Sequence, residues 1–342
     1  MRAALEKFLY WSGAYRLVGR RYAGNGVIFM LHSVVDRADD HLGEPIRCTV
    51  DVFDRLLRYM RARHIDVLSL DAALGRFEER GTKPFAVLTF DDGYRDNLTR
   101  ALPVLERYAA PATIYVTTCM IERLSHPWWI GLVTWLKQRE RISLEGFGAR
   151  DVATSAAKIA ARIDLTNWVQ GDLERLSALQ AAMTADGVDI PTLVDQEALS
   201  HDELRALGEH SLITIGGHTT SHPWLASLPT DEASQEIMEN RRYLQDLLQQ
   251  EIMHFAYPFG SPVACGERET GLVADAGFQT AVTTRHGCIF PDHAGHRFAL
   301  PREGVHWFED EISIACKSVG YHRLIGDLKR RRPWCSPVAT MA

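Results

Sequence analysis

Features that mark secreted scaffolds, membrane spans and nucleotide sites are scarce in this sequence. Six cysteines, Cys48, Cys119, Cys265, Cys288, Cys316 and Cys335, form no Cys-x-x-Cys pair, and none stands near a histidine at zinc-finger spacing. In a chain of 342 residues they read as structural or incidental thiols, not as a disulfide framework. No apolar run is long enough to span a bilayer. Residues 1–24 are interrupted by Arg2, Glu6, Lys7, Arg16, Arg20 and Arg21, so no secretory core forms and the expected compartment is the cytoplasm. No glycine-rich phosphate loop follows the first apolar run, where Leu31 leads into His32-Ser33-Val34-Val35. The net charge of −6 argues against a general nucleic-acid binder. Internal repeats and low-complexity tracts are absent as well.

What is present is an ordinary globular balance, 46% apolar and 24% charged, with material for a sizeable core. Short β-branched-rich runs recur at Val27–Leu31, Ile65–Leu70, Phe85–Phe90, Thr113–Thr117, Leu212–Ile215, His254–Tyr257 and Thr280–Thr283. Helical patterns lie between many of them. Val52–Ala62 carries an apolar stripe, Ser200 with Glu203 forms a capping box, Ile237, Leu244 and Leu248 share one face, and Glu267–Ala276 runs into Gly277. Strands alternating with helices imply a largely parallel sheet with buried faces. The expected fold is α/β, an irregular (β/α)7–8 barrel, with an open doubly wound sheet as the alternative.

The rhythm breaks between about residues 120 and 200. That stretch holds Trp128, Trp129, Trp135 and Trp168 and two helix-like segments near 152–163 and 172–185. It reads as a helical insertion over one face of the barrel, either extra core or a substrate lid. The expected organisation is an N-terminal helical segment (1–25), a barrel (26–320) containing the insertion, and a basic tail (321–342).

Chemistry concentrates at the ends of the expected strands. In Thr89-Phe90-Asp91-Asp92-Gly93-Tyr94, two adjacent carboxylates follow directly on a buried strand. Their repulsion is costly unless a cation or a proton offsets it, although Asp-Gly is also a common turn pair. His218-Thr219-Thr220-Ser221-His222 follows another strand, and the two histidines lie on one face if the stretch is helical. His32 follows the first strand, and Tyr257-Pro258-Phe259-Gly260 follows the run at 254. Taken singly these are a core histidine and a turn. Together they gather at the carboxyl ends of parallel strands, where α/β folds place their sites.

These segments resemble the signature of the polysaccharide deacetylases, carbohydrate esterase family 4, with the NodB-type barrel of the nodulation chitooligosaccharide deacetylases. The resemblance covers roughly 26–120 and 200–305. It implies a general base at Asp91 and metal ligands at Asp92, His218 and His222. Leu31-His32 is similar to the Tyr-His-x-Val segment of the permuted branch that deacetylates poly-N-acetylglucosamine, which implies that His32 is the general acid. Phe255–Gly260 is similar to that branch's third motif, implying that the Phe259 N–H binds the oxyanion. Two departures stand out. Ala256 replaces the usual third-motif Arg, and no good Asp-x-x-Asp-Trp motif is found. The resemblance then implies Arg302, in Leu300-Pro301-Arg302-Glu303, as the substitute guanidinium for Asp91, against the ordinary expectation that an Arg near a chain end is solvated.

The implied activity is metal-dependent removal of N-acetyl groups from an N-acetylated oligo- or polysaccharide. Zn²⁺ best suits the ligand set, and Co²⁺, Ni²⁺ or Fe²⁺ would fit it too. Two other readings stay open, an inactive carbohydrate-binding protein on the same fold and an amidase acting on a non-sugar amide. A last feature concerns location. Basic and aromatic residues mix in residues 1–24, where Phe8, Trp11 and Tyr15 stand among five basic residues, and in the tail, with Lys329 to Arg332 beside Trp334. That mixture suits peripheral contact with an anionic inner-membrane surface, and an N-terminal helix packed on the barrel with a solvated tail is the plainer reading.

Overall fold

The structure is a computed structural model and describes residues 2–37, 42, 44–79, 83–172 and 174–330. Eight strands build one parallel sheet: β1 (Gly26–Leu31), β2 (Asp66–Val67), β3 (Phe85–Phe90), β4 (Ala112–Val116), β5 (Ile213–Gly217), β6 (His254–Ala256), β7 (Thr280–Val282) and β8 (Glu303–Gly304). Their order is β7-β6-β5-β4-β3-β1-β8, with β2 alongside the start of β3. The sheet curls. Val282 bridges Leu300 at one end, while Glu303 and Gly304 pair with Phe29 and Met30 at the other, so the segment 300–304 touches both. This is the irregular (β/α)7–8 barrel anticipated from the alternation of strands and helices.

Alternation along the strands sorts side chains to two faces. Val27, Phe29, Leu31, Ala86, Leu88 and Phe90 join the core that packs under the surrounding helices. Ile28, Phe85, Val87, Tyr115, Ala256 and Val282 form a second cluster with Leu70, Ala73 and Phe77. Gly216 matters here, because a Cβ at that position would lie 2.5 Å from the Tyr115 ring. Local signals explain the helix starts. Thr49 caps helix Val50–Ala62 by accepting from the Val52 N–H, and the Ser200–Glu203 capping box is formed in full.

Three details differ from the sequence reading. The run at 65–70 yields only the two-residue strand β2, because Ser69 caps a helix that begins at Leu70. The insertion contains, besides helices Ser155–Gly171 and Arg175–Ala185, an antiparallel hairpin pairing Arg141–Leu144 with Gly148–Asp151. It has its own hydrophobic cluster, including Trp128, Trp135, Leu165 and Met183. The segment from His218 to His222 is not helical. The five described cysteines, Cys48, Cys119, Cys265, Cys288 and Cys316, are free and buried, while Cys335 lies outside the described residues. Among the described residues, no helix is long and apolar enough to cross a membrane.

Candidate metal and catalytic site

Four strand ends deliver the polar groups. His32 follows β1, Asp91 and Asp92 follow β3, His218 follows β5, and Tyr257-Pro258-Phe259 follows β6. The backbone there is strained. Asp92, Thr219, His222 and Phe259 all have left-handed φ, at +79°, +63°, +61° and +60°. Such conformations cost on the order of 1–3 kcal/mol each and persist only where the surroundings enforce them. At Thr219 and His222 they fold the His-x-x-x-His stretch into a loop instead of a helical turn. That loop is tied down. Glu236 accepts from the N–H groups of Thr220 and Ser221 at 2.9 and 2.8 Å, and the His222 N–H donates to Thr219 Oγ1 at 3.1 Å.

The loop brings the Nε2 atoms of His218 and His222 each to 3.4 Å from Asp92 Oδ1. His218 Nδ1 donates to the Ala256 carbonyl at 2.7 Å, which assigns its proton to that nitrogen and turns the Nε2 lone pair toward Asp92. The His218 N–H in turn donates to Asn240 Oδ1 at 2.9 Å. Asp92 Oδ1 is buried without a hydrogen-bond partner. Lone pairs converging on one point in a buried place repel one another unless a cation lies between them. Two histidines and one carboxylate are also the donor set of hydrolytic zinc sites with open positions. The residues present therefore fit a divalent metal.

Asp91 faces a different environment. Arg302, fully buried, reaches it from just before β8 and donates from Nη1 and Nη2 to its two carboxylate oxygens, each at 2.7 Å. The guanidinium is fixed further by Thr89 Oγ1 at 3.1 Å and the Thr283 carbonyl at 2.9 Å. Burial pushes the Asp91 carboxyl up, but the Arg302 charge and its hydrogen bonds outweigh burial and hold it below the usual carboxylate range. His32 Nε2 stands 3.8 Å from Asp91 Oδ2. Burial lowers the His32 pKa, and the charges of Asp91 and Asp92 oppose that.

These groups share a cavity of about 320 Å³. Its lining includes His32, Asp91, Asp92, His218, His222, Phe259 and His306. The insertion supplies another wall, with Trp128, Trp129, Leu132, Arg162, Thr166 and Gln170. The Trp129 ring lies 4.7 Å from that of His222, and its Nε1–H donates to the Tyr94 hydroxyl at 2.9 Å. Sequence reasoning singled out the tryptophans as a group but missed Tyr94, Asn240 and Glu236. The signal for Tyr94 was its place directly after Asp-Asp-Gly. Asn240 and Glu236 act from mid-helix, where no local pattern marks them.

A family model described as Polysaccharide deacetylase matches residues 78–281, more than half of the chain. The chain belongs to the polysaccharide deacetylase family. The match contains Asp91, Asp92, His218, His222 and Phe259, while His32 and Arg302 lie outside it. No curated protein sequence matches. Among solved structures, the chain is similar to the Streptococcus pyogenes deacetylase PplD in complex with acetate, at 18% identity and a TM-score of 0.56, covering 84% of this chain and 95% of that one. It is similar to IcaB from Ammonifex degensii at 15% identity and a TM-score of 0.55, covering 86% and 97%. A de-N-acetylase from Aggregatibacter actinomycetemcomitans follows at 13% identity and a TM-score of 0.53, covering 85% and 99%. At such identities these structures establish the fold alone.

Proposed function

We propose that this deacetylase is a metal-dependent hydrolase that removes N-acetyl groups from an N-acetylated oligo- or polysaccharide of the chitooligosaccharide or exopolysaccharide type. The observation that carries the reading is the division of labour between neighbouring carboxylates. Asp92 shares its buried oxygen with His218 and His222, whereas Asp91, one residue away, is clamped by Arg302 and faces His32.

A divalent cation held by Asp92, His218 and His222 would acidify a water and polarise the acetamide carbonyl. Zn²⁺ suits this nitrogen and oxygen set best, with Co²⁺, Ni²⁺ or Fe²⁺ as substitutes. Asp91, kept ionised by Arg302, accepts the proton of the attacking water. The Phe259 backbone N–H donates to the developing oxyanion from the strained turn after β6. His32 delivers a proton to the sugar nitrogen as the C–N bond breaks, because an unprotonated amide nitrogen leaves poorly. The aromatic wall from the insertion offers Trp129 as a face against which a sugar ring can stack.

The test is release of acetate and free amine across a panel of N-acetylated glycans, with and without a chelator. Chelator-sensitive release from at least one glycan supports the reading. Release only from non-sugar acetamides would replace it, and binding of glycans without release would point to an inactive lectin-like role.

A further inference from the structure

The first two helices, Arg2–Trp11 and Tyr15–Tyr22, are attached to the domain on one side only. Tyr15 is buried, and Leu9 and Tyr10 pack partly buried against the main core. The Tyr10 hydroxyl donates to Glu311 at 3.4 Å, at the start of helix Glu311–Ser318. The other side faces outward with Phe8 at 65% exposure, Trp11 at 77% and Leu17 at 64%. Side chains of this size rarely crowd together in water on two consecutive short helices without a partner.

Charge adds a second observation. Lys7, Arg16, Arg20 and Arg21 are exposed among those apolar groups, and the one acid of the segment, Glu6, is half-buried. A chain with a net charge of −6 thus carries a basic face at this end. Two further aromatic side chains are exposed elsewhere on the chain. Phe308 and Trp307 are exposed and directly follow His306, which lines that cavity, and they precede the helix that Tyr10 contacts.

We infer that the outward face of residues 5–21, extended by Trp307 and Phe308, docks on an anionic lipid bilayer. Phe8, Trp11 and Leu17 enter the boundary between headgroups and acyl chains, and Lys7, Arg16, Arg20 and Arg21 meet the lipid charge. Aromatic and basic residues interleaved on one short amphipathic segment suit that interface, where one end of each side chain is apolar and the other wet. Docking would bring the mouth of the cavity close to a glycan carried on a lipid. That consequence rests on the proposed deacetylation, while the docking itself does not. The basic tail residues Arg331 and Arg332, with Trp334, lie outside the described residues and are not needed for it.

The experiment is co-sedimentation of the full chain with phosphatidylcholine vesicles, with and without phosphatidylglycerol, at low and high salt. Binding is expected with the anionic vesicles and should weaken with salt. The triple variant Phe8→Ser, Trp11→Ser, Leu17→Ser should lower vesicle affinity by about tenfold or more. Arg16→Glu with Arg20→Glu should lower it by roughly fivefold per charge. Both variants should keep the far-ultraviolet circular dichroism of the parent and its acetate release from a water-soluble N-acetylated oligosaccharide, which separates failure of docking from failure of the activity. Absence of binding to anionic vesicles at low salt would overturn the inference, as would binding that neither variant changes. A dimer in analytical ultracentrifugation that the triple variant dissolves would also overturn it, by showing that a second copy covers the face.

Discussion

Arg302 grips both carboxylate oxygens of Asp91 at 2.7 Å across 211 residues of sequence, and neither side chain reaches solvent to any useful extent. Breaking such a buried pair from one side leaves an uncompensated charge, at a cost of about 3–5 kcal/mol. Arg302→Ala should therefore lower the thermal unfolding midpoint and also depress acetate release in the fraction that stays folded. Arg302→Lys restores the charge but not the two-pronged geometry, so it should recover part of the stability and little of the rate. Thermal scans beside acetate assays on both variants check this. Near-normal turnover in folded Arg302→Ala would show that the clamp is structural only.

The two adjacent carboxylates should fail in different ways. Asp92→Ala removes one of the three proposed metal donors and should lose bound metal. Asp91→Asn should retain metal and lose turnover by about 10²–10⁴-fold, the usual contribution of a general base. Atomic emission on the purified variants, alongside acetate release, reads both quantities. Equal metal loss in the two would reject the assignment of roles.

The parts of the site that were legible in the sequence are those that strand ends place next to one another in the chain. Asp91 and Asp92 sit together directly after a continuously apolar run, so their location needed no tertiary knowledge. The His218–His222 pair was legible as a pair, but its conformation was not: the left-handed φ of Thr219 and His222 folds the stretch back on itself and no helical turn forms. Such conformations are uncommon for residues other than glycine, and here contacts from Glu236, Thr117, Thr118 and Cys119 to the loop hold them in place. From the sequence, Arg302 is assigned to Asp91 only through the family resemblance, since its approach depends on how the sheet closes at 300–304, a long-range event with no local signature. The missed hairpin did leave a trace. Gly146 and Gly148, both at positive φ, mark the turn between its strands.

Two histidines compete for the role of proton donor, and their surroundings separate them. His306 donates from Nδ1 to the Pro45 carbonyl at 2.6 Å, and burial together with the nearby Lys317 ammonium pulls its pKa down to about 4. At neutral pH such a group holds no extra proton to give. Burial also lowers the His32 pKa against the opposing charge of Asp91, so position separates the two: His32 Nε2 stands 3.8 Å from Asp91 Oδ2, whereas the His306 Nδ1 proton is committed to the Pro45 carbonyl. His32→Ala should thus slow deacetylation by something like 10²–10⁴-fold with metal content unchanged, while His306→Gln should cost far less. The comparison is of kcat on one N-acetylated substrate. A larger loss in His306→Gln than in His32→Ala would exchange the two assignments.

Acid should destabilise the fold through His293, far from the proposed metal ligands in sequence. This side chain is buried, and its Nδ1 accepts from the Phe290 N–H at 2.9 Å in the neutral ring; the Phe290 carbonyl, 3.2 Å away, favours the protonated ring, but burial outweighs it. Burial accordingly lowers its pKa from 6.5 to about 4. The folded protein then binds this proton less readily than the unfolded chain, so unfolding takes up a proton between those values. Stability contributed by the neutral ring is complete above about pH 6.5 and is lost as the pH falls toward 4. At 1.36 kcal/mol per pKa unit the loss is on the order of 3 kcal/mol. Glutamine at this position cannot titrate and can offer an oxygen to the Phe290 N–H. Urea unfolding of the parent and His293→Gln at several pH values from 7 to 4 isolates the effect, because every other titrating group is common to both. The parent should lose more stability than the variant on acidification, by roughly 2–3 kcal/mol. Parallel curves would mean that His293 is not held neutral, and the acid sensitivity of the fold would have to be sought among its buried carboxylates.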